Sequence, residues 1–507
     1  MSLTRKAGKV YLTGAGPGDP GLIVEKAGWA LQRCDAVVYD HLAPLELVVT
    51  LPPTVERYFA GKSAGRHTKK QEEINQLLAE LAGQGKTVVR LKGGDPYVFG
   101  RGGEEALFLR EQGIPFEVIP GVTAGIAVPA YAGVPVTFRK MSSYIILLTA
   151  HEAGDKDESE VPIELLSQAE KGTIVGYMGV KTLPELMRKL MESGLSPETP
   201  ALVVERGTLG IQRCVNGTVA TIADLALQAV IEPPALFVLG QVVELREKLA
   251  AAAALPLQGK TIMVTRPADQ AGETYRRLRE LGAEVLPLPV IFTEAAVDYQ
   301  GWEKFWGISE GWLVFTSENG VRYFLRHYFK AGYDLRGLAE FKIAAVGSGT
   351  ERALQVSGLT ADFRPSKFTV KDLAEELVLN YTLGGIDVIR VRGNLGEETA
   401  EDILRGAGSK VLPLIVYRAG TYKWDEGMFN AFREAKVDFV TFTSGSTVLK
   451  LKEILGEGEF DRFIKQVPAI SIGPRTSQVI RQCGGKVAGE AGAHTVEGMV
   501  EALIGRQ

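Results

Sequence analysis

Residues 91–105 read LKGGDPYVFGRGGEE. A β-branched run, Val88–Leu91, leads in, and an amphipathic stretch, Glu104–Gln112, leads out. Between them the glycine pairs Gly93-Gly94 and Gly102-Gly103 bracket Asp95, Tyr97, Phe99 and Arg101. Strand, glycine-rich loop, helix is the pattern of a parallel sheet whose loop lies at the carboxyl edge, where ligands bind. The same logic recurs on either side. GAGPGD (Gly14–Asp19) follows the strand candidate Val10–Thr13, and PGVTAGIAVPAYAGVP (Pro120–Pro135) follows Phe116–Ile119. Further strand candidates at 36–39, 145–148, 174–177, 202–204 and 236–239 alternate with helix candidates at 23–33, 71–84 and 183–191. The alternation predicts an α/β fold, and three glycine-rich loops at three strand ends predict a binding crevice. A dinucleotide fingerprint fails here, because Asp19 stands where a third glycine is needed and Pro17 sits in the turn.

A chain of 507 residues is too long for one core. Its 57 Lys+Arg against 61 Asp+Glu leave a net charge of −4, without the basic excess that nucleic acid or an anionic membrane calls for. Cys34, Cys214 and Cys483 are scattered and form no CxxC, and the five histidines never fall at HxH or HxxxH spacing. The expectation is a chain with no metal and no disulfide framework, in a reducing cytoplasm. No apolar run approaches the roughly 20 residues of a membrane helix.

LAAAAALPLQ (Leu249–Gln258) divides the chain, giving 1–249, a linker at 250–258, and 259–507. The second half repeats itself. Arg266 of VTRP and Arg392 of VRGN lie 126 residues apart, as do the two VLPL runs at Val285 and Val411, AVG at Ala345 and SIG at Ser471, and FTVKDLAEEL at Phe368 and HTVEGMVEAL at His494. The FTS runs at Phe315 and Phe442 lie 127 apart. Two copies of one α/β unit are expected to build two lobes, and clefts between lobes bind small ligands.

Charged and hydroxylic groups then stand out. Asp40 ends the strand candidate Ala36–Tyr39, where a carboxylate is a turn residue, a cap or a base. AGKSAGRHTKKQ (Ala60–Gln71) holds Lys62 and Arg66 with no acid, a solvated loop or a seat for a polyanion. In the second half no nucleophile–base constellation stands out. Hydroxyl-rich loops recur instead, at Thr316–Gly320, Thr443–Thr447 and Gly473–Ser477, suited to helix capping or to binding carboxylates.

VYLTGAGPGDPGL, VVYDHL, GK followed by GRH, RLKGGDPYVFGRGGEE, EVIPGVTAGIAVPAYAGVPVT, GYMGVKTLPEL, VVERGT and PPALFVLGQVV occur in that order. Together they resemble the uroporphyrinogen-III C-methyltransferase family over Gly8–Leu249. The resemblance implies a two-domain tetrapyrrole methylase fold, a homodimer, and S-adenosylmethionine bound between the domains. It assigns the methyl donor to Pro17, Gly93, Gly94, Asp95, Val98, Thr123, Ala124, Met178, Gly207 and Ala235. Asp40 matches a proton acceptor and Lys62 a proton donor, and the loop arginines Arg66 and Arg101 are candidate substrate contacts. Methylating a pyrrole carbon requires a proton to leave the macrocycle, which a positioned carboxylate and ammonium can manage. The sequence departs from the family at His41, where an arginine is usual, and at Phe138, where a histidine is common; both touch the macrocycle side.

WLVFTSENGVRYF, KIAAVGSGTERAL, SKFTVKDLAEEL, VLPLIVYRAGTY, FVTFTSGSTV, ISIGPRTSQVI and AGAHTVEGMVEAL are similar to uroporphyrinogen-III synthase over Gly259–Leu503. The resemblance implies a duplicated bilobal α/β fold joined by a β-ladder. The ladder is expected at Glu284–Phe292 and Lys410–Tyr417. Lobe one is expected at about 259–288 plus 421–507, and lobe two at about 295–414. Tyr417 matches a tyrosine that assists hydroxyl loss, Thr476 a threonine of the substrate cleft, and Ser317, Ser444 and Ser446 are candidate carboxylate contacts. The two resemblances imply a bifunctional enzyme taking hydroxymethylbilane to uroporphyrinogen III and then, with two methyl groups, to precorrin-2. Oxidation and metal insertion are then expected of other proteins. The competing readings are a later-acting corrin methylase and a second half that binds without catalysing.

Overall fold

The run Val10–Thr13 lies within strand β1 (Lys9–Gly14), and with β2 (Ala36–Tyr39), β3 (Glu56–Phe59), β4 (Thr87–Lys92) and β5 (Phe116–Ile119) it forms a wholly parallel sheet in the order β3-β2-β4-β1-β5. The computed structural model describes residues 8–61, 70–150, 161–168, 171–250, 254–296, 298–367, 369–396 and 398–505. The central strands read as near-continuous apolar runs because helices cover both faces; Val10, Leu12, Val37, Val38, Val88 and Val89 are fully buried. A second sheet joins β6 (Tyr144–Thr149), β7 (Gly172–Tyr177), β8 (Pro200–Glu205), β9 (Arg213–Thr218) and β10 (Ala235–Leu239) in the order β6-β7-β10-β8-β9. Only its β6–β7 pair is parallel. Strands β3 and β9 have no clear sequence signal. Both are edge strands, and RCVNGT mixes polar residues and glycine where a central strand would be apolar.

The second half builds two further sheets. One holds β11 (Thr261–Val264), β12 (Glu284–Pro287), β18 (Phe439–Phe442), β19 (Ala469–Ser471) and β20 (Val487–Glu490), ordered β12-β11-β18-β19-β20 and parallel throughout. The other holds β13 (Ile291–Ala295), β14 (Gly311–Phe315), β15 (Phe341–Ala345), β16 (Asp387–Gly393) and β17 (Lys410–Thr421), ordered β13-β17-β16-β14-β15. The repeat is visible in the register. Thr261 stands opposite Glu284, and 126 residues on, Asp387 stands opposite Lys410.

One expectation is corrected. Glu284–Phe292 is not a single ladder strand: β12 stops at Pro287 and β13 starts at Ile291. Pro287 and Pro289 both lack the N–H a ladder needs. The second copy carries only Pro413, so β17 runs on for 12 residues, and its end pairs antiparallel with β13. The chain divides into two compact units, Met1–Val290 with Lys423–Gln507, and Ile291–Tyr422.

Candidate active sites

Three loops after β1, β4 and β5 are tied into one wall. The Gly94 N–H donates to Gly16 O at 2.7 Å, and the Gly16 N–H donates back to Gly94 O at 3.2 Å. Asp95 locks the arrangement: Oδ1 accepts from the Tyr97 N–H at 2.8 Å and Oδ2 from the Gly121 N–H at 3.0 Å. The packing is so close that a Cβ at Gly121 would lie 2.2 Å from Gly94 O. Gly94 itself has φ +68°, and a Cβ there would meet only the Ala124 nitrogen, at 3.9 Å, which leaves space in front of the wall.

The second sheet supplies the facing side. The Tyr177 hydroxyl, at the end of β7, lies 2.7 Å from Thr123 Oγ1 and accepts from the Gly125 N–H at 2.6 Å; its ring packs on Phe99 at 5.0 Å. Met178 follows with φ +56° and an exposed side chain. Gly207 packs against Val128, and the Asp19 N–H donates to Thr208 Oγ1 at 3.1 Å. Ala235 opens β10 opposite Glu205, with Pro17 and Val98 partly buried in their loops. Asp19, which spoils the dinucleotide fingerprint, caps the short helix Pro20–Leu22 and accepts from the Tyr131 hydroxyl at 2.9 Å. The residues expected to hold the donor therefore lie on two sets of loops that meet.

Asp40 stands at the carboxyl end of β2. Its Oδ1 accepts from the Leu42 N–H at 3.1 Å and the Gly93 N–H at 3.4 Å, and Arg90 Nη2 lies 3.4 Å from Oδ2. Arg90 also donates from Nε to Glu105 Oε1 at 3.1 Å, and Lys92 Nζ reaches the same oxygen at 3.0 Å. Burial, with Arg90 beside it, draws Lys92 below the ordinary lysine range. Glu105 is fully buried, so two cations compensate it and it compensates them. Arg101 is the exposed cap residue of helix Gly102–Glu111, paired twice with Glu104 at 2.6 and 2.9 Å. Lys62 and Arg66 lie outside the described residues.

In the second unit the Tyr417 hydroxyl lies 3.2 Å from Ser317 Oγ, and its ring stacks on Tyr323 at 5.6 Å. Ser317 caps helix Glu318–Lys330 through the Gly320 N–H at 3.0 Å. In the first unit Ser444 caps helix Gly445–Gln466 through Thr447 and lies 2.8 Å from Ser446. Thr476 is buried in the first turn of helix Pro474–Gln482. Among the described residues no cluster of His, Cys, Asp or Glu has the makings of a metal site.

Residues 9–223 match the model of the tetrapyrrole (corrin/porphyrin) methylases, and residues 272–501 that of uroporphyrinogen-III synthase HemD. Along nearly its whole length the chain is similar to the porphyrin biosynthesis protein HemD of Ruminiclostridium josui, 36% identical over 98% of both chains. It belongs to the methylase–synthase fusions of these two families. The methylase half is also 49% identical to the S-adenosyl-L-methionine-dependent uroporphyrinogen III methyltransferase of Methanosarcina barkeri, covering 48% of this chain and 94% of that one. A solved uroporphyrin-III C-methyl transferase from Thermus thermophilus, complexed with S-adenyl homocysteine, is 37% identical, covers 47% of this chain and 99% of that one, and has a TM-score of 0.41.

Sequence reasoning missed Arg90, Lys92, Glu105 and Tyr177 in the methylase half. Alternation along β4 puts Arg90 and Lys92 on one face, which is the available signal: two cations inside an otherwise apolar buried strand demand an acid.

Proposed function

We propose that this methylase–synthase is bifunctional in tetrapyrrole biosynthesis. Residues 259–507 close hydroxymethylbilane to uroporphyrinogen III, losing water and inverting ring D. Residues 1–249 then transfer two methyl groups to it, giving precorrin-2, where sirohaem and cobalamin branch. The observation that carries this reading is the full-length relative: both family models occur on one chain, and the similarity to HemD runs through both.

S-adenosylmethionine, as co-substrate, supplies an electrophilic methyl group and leaves as S-adenosylhomocysteine. The crevice suits it: Gly94 leaves open space beside Ala124, and Asp95 and Tyr177 hold the loops that would enclose it. Such pre-set positions account for much of the catalysis expected of an in-line transfer. Asp40 is the proposed proton acceptor, a role supported by the two backbone N–H groups that hold its carboxylate, and Lys62 is the proposed donor. In the synthase half the Tyr417 hydroxyl is the proposed hydrogen-bond donor to the departing hydroxyl, and Ser317 beside it orients that phenol. Thr476, Ser444 and Ser446, with Arg66 and Arg101 in the methylase half, are proposed carboxylate contacts. The reading extends to a cytoplasmic homodimer formed through the methylase half.

Mass spectrometry of the product from hydroxymethylbilane, with and without S-adenosylmethionine, tests the whole. Uroporphyrinogen III alone, and a doubly methylated product with the donor, are expected. Isomer I alone removes the synthase reading. Methylation only of more advanced tetrapyrroles replaces the first methylase reading with the later-acting one. Sedimentation at working concentration checks the dimer.

A further inference from the structure

In the second unit two strand arginines share one acid. Arg390 and Arg392 of β16 both pair with Glu401 on helix Thr399–Gly406, Arg392 Nε at 3.1 Å, and Glu398 lies 3.6 Å from Arg392 Nη2. Arg390, Arg392 and Glu401 are 2%, 7% and 0% exposed. Charges this deep persist because they compensate one another.

The first unit has a matching strand pair with different residues, and its helix Ala268–Glu280 begins earlier than its counterpart Thr399–Gly406. Val264 opposite Pro287 in β11–β12 corresponds to Arg390 opposite Pro413 in β16–β17, which fixes the correspondence at 126 residues. Burial agrees along the helix: Thr274, Tyr275 and Leu278 are buried where Ala400, Glu401 and Leu404 are. Arg392 thus becomes Arg266, while Glu401 becomes Tyr275 and Glu398 becomes Gly272. One guanidinium is kept and both of its acids are gone. Among the described residues Arg266 has neither an ion pair nor a hydrogen bond.

Arg266 lines a small pocket, open to solvent on one side, together with Thr274, Thr441, Thr443 and the apolar Met499 and Leu503. Thr274 stands where the second unit has Ala400, is 7% exposed, and its buried Oγ1 has no hydrogen-bond partner. Among the described residues the pocket is therefore lined by a guanidinium and a hydroxyl that both lack partners, and by no acidic side chain. A planar carboxylate complements a guanidinium fork better than any other common anionic arm of a small organic molecule.

We propose that Arg266 and Thr274 form a subsite for one carboxylate arm of the linear tetrapyrrole, an inference that rests on the synthase reading above. The test is steady-state synthase kinetics of the full chain with hydroxymethylbilane as probe. Arg266→Gln is expected to raise KM at least about tenfold (about 1.4 kcal/mol) with kcat changed far less. Thr274→Ala, which installs the residue the equivalent helix already accommodates, is expected to raise KM by roughly threefold. Methyl transfer to supplied uroporphyrinogen III should be unchanged in both. Wild-type KM in either folded variant, or a fall confined to kcat, overturns the subsite. A wild-type chain that forms no isomer III overturns the synthase reading itself, and the subsite with it.

Discussion

Asp40 and Tyr417 each depend on a neighbour that no spacing rule connects to them. Asp40 is faced by Arg90, which is anchored in turn by the fully buried Glu105. Asp40→Asn keeps the shape and removes the charge, so methyl transfer is expected to fall by about two to four orders of magnitude. Donor affinity by calorimetry and the synthase rate should hold. Tyr417→Phe keeps the stack on Tyr323 and removes only the contact to Ser317. The expected outcome is an unchanged melting temperature and an isomer III rate lowered at least about tenfold; a full rate would leave the ring a packing role alone. The sequence made Asp40 legible because a carboxylate at a strand end is a local feature. Arg90 and Glu105 were not read, because a buried ion pair is a long-range fact: its members lie on a strand and a helix whose packing alone brings them together.

At the scale of elements, the loops were legible and the strand breaks were not. Glycine pairs after apolar runs mark a strand-end loop whatever surrounds it, and the three loops do meet, through Gly16, Gly94 and Gly121. Gly94→Val adds a branched side chain in the one direction the wall leaves open, at a backbone angle disfavoured for valine. S-adenosylmethionine affinity is expected to be lost by calorimetry, with synthase activity intact; normal donor affinity would mean that the space serves no ligand. The break between β12 and β13 went unread because repeated VLPL motifs suggest equivalent strands. One extra proline, Pro289, decides that only the second copy runs through.

At the scale of the molecule, the methylase half and the first synthase sheet belong to one compact unit. The Tyr39 hydroxyl, on the residue before Asp40, donates to Asp425 Oδ1 at 2.6 Å, and Glu46 pairs with Arg279. The Gly210 N–H donates to Glu284 Oε2 at 3.0 Å. Burial pushes the Glu284 carboxyl up to about 7 from an ordinary 4.5, against the pull of that bond and of Arg279 and Arg206. The folded chain therefore keeps a proton between those two values that the unfolded chain releases. Stability from this group is full below about pH 4.5 and is lost as pH rises through about 7. Glu284→Gln is expected to unfold like the wild type near pH 4.5 and to be roughly 1–3 kcal/mol more stable at pH 8, by denaturant titration at each pH. A difference independent of pH would assign the effect to packing.

The strand orders carry one more consequence, for how such a gene can be cut. β11 pairs with β18, and β14 with β16, so each sheet of the second half is braided from both copies of the repeat. An exposed turn at Gly384-Gly385 separates the copies in the chain but separates no folded body. Expressed alone, residues 259–384 or 385–507 would each present two unfinished sheets with open edges, and aggregation is the expected fate. Expressed together, the two halves should find each other and restore both sheets, as split reporters do. The duplication that made this half can therefore be divided at its seam only if both pieces stay in the same cell.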